Sequence, residues 1–256
     1  MMKRCAILVE SWDGVPVAPV HSATKDLEDW ENFLSSCLGG SWSKKEILSL
    51  HSPSHDVFLA AIKSLVEKND FLFIAYSGHG ARDTSGDYIN ICRGQKVYVN
   101  EILSRIPDEM PVTIILDACR SLRSLQEQTC SICDDENDID YNQASSLICW
   151  NEAFASINVG KVLIQSCAAG QMAASGPLAS DNGFFTESMI AVAKAWSCNA
   201  SYGDVLDTYE AYDRAVSYMQ KKYGALVNSQ HPQYTPSQSI VNPFAIRSKI
   251  TLSDLL

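Results

Sequence analysis

Two rhythms of apolar residues alternate in this sequence. Short continuous runs, "RCAILVE" (4–10), "KEILSL" (45–50), "FLFIAYS" (71–77), "VTIILDA" (112–118) and "KVLIQSC" (161–167), read as strands, most of them buried on both faces. Between them lie amphipathic stretches. "SATKDLEDWENFLSSCL" (22–38) repeats Leu27, Trp30, Phe33, Leu34 and Cys37 or Leu38 at helical spacing and stops at Gly39 and Gly40. "SPSHDVFLAAIKSLVEK" (52–68) places Val57, Ala60, Ala61, Ser64 and Leu65 on one stripe, with Ser and Pro at its entry. A hairpin with a Gly turn is predicted over "DYINICRGQKVYVN" (87–100), and a short helix near "VNEILSRI" (99–106). Two further helices are predicted over "FFTESMIAVAKAW" (184–196) and "DVLDTYEAYDRAVSYMQKKYG" (204–224). Buried runs alternating with helices imply an α/β fold around a mostly parallel sheet covered on both faces. The polar, acidic stretch 121–160 lacks a period and reads as a long loop or linker, and the proline-bearing tail 228–246 as an extended segment lying over the surface or adding an edge strand.

Composition narrows the functional classes. A chain of 256 residues buries a real core without disulfides, and its nine cysteines, an odd number scattered through strands and helices, suit a reducing compartment. Thirty acidic residues against twenty basic ones argue against nucleic acid and mildly for a cationic substrate or partner. Glu10, Ser11 and Asp13 break the N-terminal apolar run before it forms a signal-peptide core, and no stretch reaches the roughly 18 apolar residues of a membrane span, so the expected location is the cytoplasm.

Chemistry concentrates at two strand ends. In open parallel sheets ligands bind beyond the carboxyl ends of the strands. "FLFIAYSGHG" ends by presenting His79 between Gly78 and Gly80, and "VTIILDACRS" ends by presenting Cys119. If those strands are neighbours, an imidazole and a thiol emerge on one rim, the arrangement that nucleophilic catalysis by a thiolate requires. The glycines then admit a substrate, and the Gly80 N–H can face a developing oxyanion. The other histidines, His21, His51, His55 and His231, lack this setting. Cys167 ends a strand in a similar way but reads as a packed thiol.

"AYSGHG" followed forty residues later by "ILDACRS" resembles the caspase-like cysteine peptidases, whose signature carries a Gln-Ala-Cys-Arg-Gly type run with a histidine upstream. Here Asp117 stands for the Gln and Ser121 for the Gly. "VHSATKDLEDWENFL", "KVLIQSCAAGQMA" and "GFFTESMI" are similar to the first helix, a later strand and the following helix of bacterial members. The resemblance implies a caspase-like three-layer fold with about six strands in one domain. Residues 1–120 would be a large-subunit-like part, 121–160 the linker, and 161–256 a small-subunit-like part. It implies Cys119 as nucleophile, His79 as proton acceptor and donor, and the N–H groups of Gly80 and Cys119 as oxyanion hole. By the pattern of metacaspases and paracaspases, which cut after Arg or Lys, it also implies a primary pocket lined by Asp117 and Asp26, with Asp181 as a third acid. The substrate would be a protein or peptide with a basic residue before the cut, and activation would come from a partner or signal. Asp26 equally suits the first turns of a helix, where the macrodipole favours acids.

Other signals carry less. The CxxC of Cys130 and Cys133 lacks the second ligand pair of a zinc site, with Cys149 the nearest third ligand, and "DDENDID" lacks the Gly and terminal Glu of a calcium loop, so no metal or cofactor is expected and Ca2+ is disfavoured. Two rival readings stay open: a caspase-like scaffold with a latent dyad, and a metabolite binder using "SGHG" to cradle an anion.

Overall fold

The computed structural model describes residues 2–11, 20–121, 143–176, 181–236 and 239–248. In chain order the elements are β1 (Arg4–Ser11), α1 (Ser22–Ser35), β2 (Ile47–His51), α2 (His55–Val66), β3 (Phe71–Gly78), β4 (Gly80–Asp83), β5 (Gly86–Ile91), β6 (Gln95–Tyr98), α3 (Val99–Ser104), β7 (Val112–Ala118), α4 (Gln143–Ser156), β8 (Lys161–Gln165), α5 (Phe184–Ser197), β9 (Val205–Asp207), α6 (Thr208–Tyr223), β10 (Gln233–Thr235) and β11 (Pro243–Ile246). Six strands form the central sheet in the order β10-β8-β7-β3-β1-β2. All are parallel except β10, which runs antiparallel along β8 at one edge.

The continuous runs are buried on both faces because each face has its own cover. Ala6 and Leu8 of β1, Phe71, Phe73 and Ala75 of β3 and Ile115 of β7 face α1, α4, α5 and α6. Their alternating neighbours, Cys5, Ile7, Val9, Leu72, Ile74, Tyr76, Ile114 and Leu116, face α2, α3 and the β5–β6 hairpin. This is the expected three-layer α/β architecture. Among the described residues no helix is long and apolar enough to cross a membrane.

Several elements depart from the expectation. On α2 the buried residues are Phe58, Leu59 and Ile62, while Val57 is 53% exposed. The bulky side chains, which the predicted stripe left out, set the face that packs. "DVLD" does not open the last helix: Val205–Asp207 is β9, paired antiparallel with β11, and Asp207 caps α6 by accepting from the Tyr209 and Glu210 N–H groups at 2.9 and 2.8 Å. The tail supplies the β10 edge strand, but its end is core rather than surface, with Phe244 packed on Phe33 and Trp30. Within the stretch read as a linker, α4 buries Ser146, Trp150, Ala153 and Phe154. "CSIC" with Cys130 and Cys133 and "DDENDID" lie outside the described residues.

Candidate active site

The two rim motifs come together through strand pairing. β3 and β7 are parallel neighbours in a register that sets Ser77 opposite Asp117 and Gly78 opposite Ala118. His79 and Cys119 therefore leave strands spaced about 4.8 Å apart at the same level. Two glycines shape the step after β3 for different reasons. Gly78 has φ 151°, and a Cβ there would fall 2.6 Å from both the Ser11 carbonyl and the Tyr76 hydroxyl. Gly80 is needed for space: a Cβ there would lie 2.8 Å from the Cys119 carbonyl oxygen, 2.9 Å from Ala118 Cβ and 3.0 Å from the Tyr88 carbonyl. The backbone beside the imidazole thus presses directly against the backbone of the cysteine.

A small antiparallel sheet, β4-β5-β6, holds this loop from below. The Asn90 N–H donates to the His79 carbonyl at 2.9 Å. The buried Tyr76 hydroxyl lies 2.7 Å from that same carbonyl and 2.5 Å from the Asn90 carbonyl. β4 had no signature in the sequence; it is the continuation of the His79 loop, folded back on the predicted hairpin.

The Cys119 thiol is half-buried and donates to the Ala173 carbonyl at 3.7 Å. Burial pushes its pKa up, and the negative charge of Asp117 adds to that, against the Ala173 contact. Cys167 is packed as expected: its sulfur lies 3.4 Å from the Ala118 carbonyl and 3.5 Å from the Gln171 carbonyl, and burial drives its thiol pKa to about 12.

Asp26 and Asp117 meet beneath this rim. Asp26, on α1, is fully buried and Asp117 is 5% exposed. Asp26 accepts from the Ser77 hydroxyl at 2.5 Å, the Gly183 N–H at 2.8 Å and the Asn182 amide at 3.1 Å. Asp117 accepts from the Thr186 N–H and hydroxyl at 3.0 and 2.9 Å. A Cβ on Gly183 would fall 2.4 Å from Asp117 Oδ2 and 2.9 Å from Asp26 Oδ2, so this glycine is wedged between the two carboxylates. Desolvation, then the charge of Asp117, holds the Asp26 carboxyl well above the ordinary range, and desolvation raises Asp117 too. Among the described residues, no Lys or Arg figures among the groups that shift either carboxyl.

Asp181 is placed differently. Its side chain packs on Gly176, where a Cβ would be 2.2 Å from Asp181 Cβ. The side chain that reaches Asp26 from this segment is Asn182, whose amide also donates to Asp29 at 2.8 Å. Ser77 and Thr186 escaped the sequence reading. Ser77 had a usable signal: it stands two residues before His79 as Asp117 stands two before Cys119, so strand alternation aims both at α1. Thr186 had none, because it reaches Asp117 only through tertiary packing. Among the described residues no cluster of His, Cys, Asp and Glu is arranged to hold a metal ion.

Comparison with known proteins places this geometry. The caspase domain model of the C14 peptidases matches residues 4–241. No curated protein matches the chain. Among solved structures, caspase-1 from Spodoptera frugiperda superposes with a TM-score of 0.63 over 98% of this chain and 93% of that one, at 10% sequence identity, a likeness of fold. With the family model spanning nearly the whole length, the chain belongs to the caspase-domain peptidases and is a cysteine-type endopeptidase.

Proposed function

We propose that the enzyme cleaves protein substrates after Arg, and second after Lys, with Cys119 as nucleophile and His79 as general base and acid. His79 takes the thiol proton as sulfur attacks the scissile carbonyl carbon, and the N–H groups of Gly80 and Cys119 receive the oxyanion. Collapse breaks the C–N bond, and the leaving amine takes the proton from His79. A water deprotonated by His79 then hydrolyses the thioester, releasing the new carboxylate and restoring the thiol.

The observation that carries the specificity is the convergence of Asp26, Ser77 and Asp117 on one buried spot a single step below the rim. Each charge-assisted bond from a guanidinium to those carboxylates is worth about 1.5–3 kcal/mol, and an acidic side chain would be repelled. Arg leads Lys because only the planar fork engages a carboxylate bidentately.

Activation by a partner or signal is part of the proposal. The acids are occupied by the chain's own Asn182, Gly183 and Thr186, and the thiol rests on Ala173. A substrate cation gains the pocket when the Asn182–Gly183 donors give way. The same observation favours a second reading, a latent scaffold. An Arg-ended fluorogenic peptide, assayed with wild type and Cys119→Ala, with and without cell lysate as a source of activator, separates the two. Turnover lost by at least about 10³-fold in the variant is expected; silence of the wild type under every condition supports the scaffold.

A further inference from the structure

Arg120 directly follows the nucleophile, and its guanidinium is almost wholly enclosed, the residue being 7% exposed. Nε and Nη2 donate to the two carboxylate oxygens of Asp87 at 3.1 and 2.7 Å, a bidentate pair. Nη1 donates to the Cys167 carbonyl at 3.0 Å and to Gln233 Oε1 of β10 at 3.1 Å. The backbone is tied as well: the Arg120 N–H donates to the Gln171 carbonyl at 2.8 Å, and the Arg120 carbonyl accepts from Gly170 at 3.0 Å. Enclosed in this way, Arg120 is not available as a site at which an enzyme with a basic-residue preference could cut itself.

Asp87 sits in β5, the strand that carries the His79 loop. Three residues along, Asn90 holds the His79 carbonyl, and the carbonyl of Tyr88 abuts Gly80. Arg82 also approaches Asp87, at 3.3 Å, but from the half-exposed side where water screens it. The buried partner of Asp87 is Arg120. One ion pair therefore joins the residue after the sulfur to the strand beneath the imidazole.

The geometry points to Asp87 and Arg120 as positioning residues, a latch between β7 and β5 that sets the separation of Cys119 from His79. This rests on the dyad reading above. A fork pairing fixes distance and angle together, which a single point charge does not. Loss of the carboxylate charge leaves an enclosed guanidinium uncompensated and frees the two backbones to drift. A misplacement on the order of 1 Å costs about 100-fold in rate.

The test compares wild type, Asp87→Asn, Asp87→Glu and His79→Ala by two readouts: kcat and KM on the Arg-ended peptide after addition of the activating lysate, and the rate at which iodoacetamide alkylates Cys119 in the purified protein, followed by peptide mass mapping. Expected for Asp87→Asn is a fall in kcat of about 10- to 100-fold with KM within about twofold. Cys119 alkylation should drop to the His79→Ala rate, and Asp87→Glu should recover most of both. Wild-type kcat in Asp87→Asn, or a loss no larger than the loss of folded protein by near-UV circular dichroism, overturns the latch. Should Asp87→Asn fail to fold, Arg120→Lys, which keeps the charge and loses the fork, is expected to show the same kcat loss, and its full activity overturns the proposal. If His79→Ala itself changes neither alkylation nor turnover, the dyad reading falls; if it abolishes both while Asp87→Asn changes neither, only the latch falls.

Discussion

Asp117 is asked to serve two masters. In the proposed reading it supplies a carboxylate for a basic side chain beneath the rim, yet it lies two residues before Cys119, where its charge opposes thiolate formation. Burial is the larger of these two effects on Cys119 and acts in the same direction. Because the folded-state thiol pKa is raised, the reactive thiolate is scarce at neutral pH and accumulates only as pH rises above the ordinary cysteine range. Asp117→Asn removes the opposing charge and keeps the shape. It should move the midpoint of the Cys119 alkylation curve to lower pH and speed alkylation a few-fold at neutral pH. It should also cut turnover of the Arg-ended peptide by about 10- to 100-fold, the loss of one charge-assisted bond. The fall in turnover distinguishes a pocket acid from a strand-end turn residue, for which alkylation alone would change.

At the scale of elements, what the sequence made legible was set by how local the determining forces are. β3 and β7 were readable because a strand enclosed on both faces needs no polar alternation; their neighbouring placement, on which the meeting of His79 and Cys119 was conditional, is supplied by the sheet pairing. α4 was hidden by its composition: Ser146, Trp150, Ala153 and Phe154 do recur at helical spacing, but serine, asparagine and glutamate dilute the stripe. Its identity comes from what it covers. Trp150 lies against Trp42, Phe71 and Phe154, with the buried Arg4 guanidinium 4.4 Å from the Trp42 ring centroid and 5.4 Å from that of Trp150. Trp150→Ala should therefore destabilise the fold by about 3–5 kcal/mol. Equilibrium urea unfolding measures it, and a loss below about 1 kcal/mol would mean that α4 is not part of the core.

At the scale of the whole molecule, the pocket is a tertiary product. Asp26 comes from α1, Ser77 from β3, Asp117 from β7, and Gly183 and Thr186 from the start of α5, four places that no period in the sequence connects. Only the resemblance of the rim motifs to a known family could have joined Asp26 to Asp117; Asp181, the third acid that it implies, packs on Gly176. The whole chain also bears on maturation. From Ser124 to Gly160 it contains no Lys or Arg, and Arg120 is enclosed by Asp87. An enzyme with a basic-residue preference then does not cut itself between 124 and 160 on activation. Intact mass before and after addition of activator should be unchanged, and a pair of fragments divided between 124 and 160 would contradict this.

The central claim is that a sulfur and an imidazole on adjacent strands work above a pit that takes a positive charge. Covalent labelling by peptidyl chloromethyl ketones that differ only in the terminal residue, Arg or Asp, in which the sulfur displaces chloride, tests it directly when read by intact mass and peptide mapping after addition of the activating lysate. The account predicts a single adduct, on Cys119, with the Arg reagent alone, abolished in His79→Ala and in Asp26→Ala. Labelling by the Asp reagent at an equal rate, or an Arg adduct on any other cysteine, would contradict it.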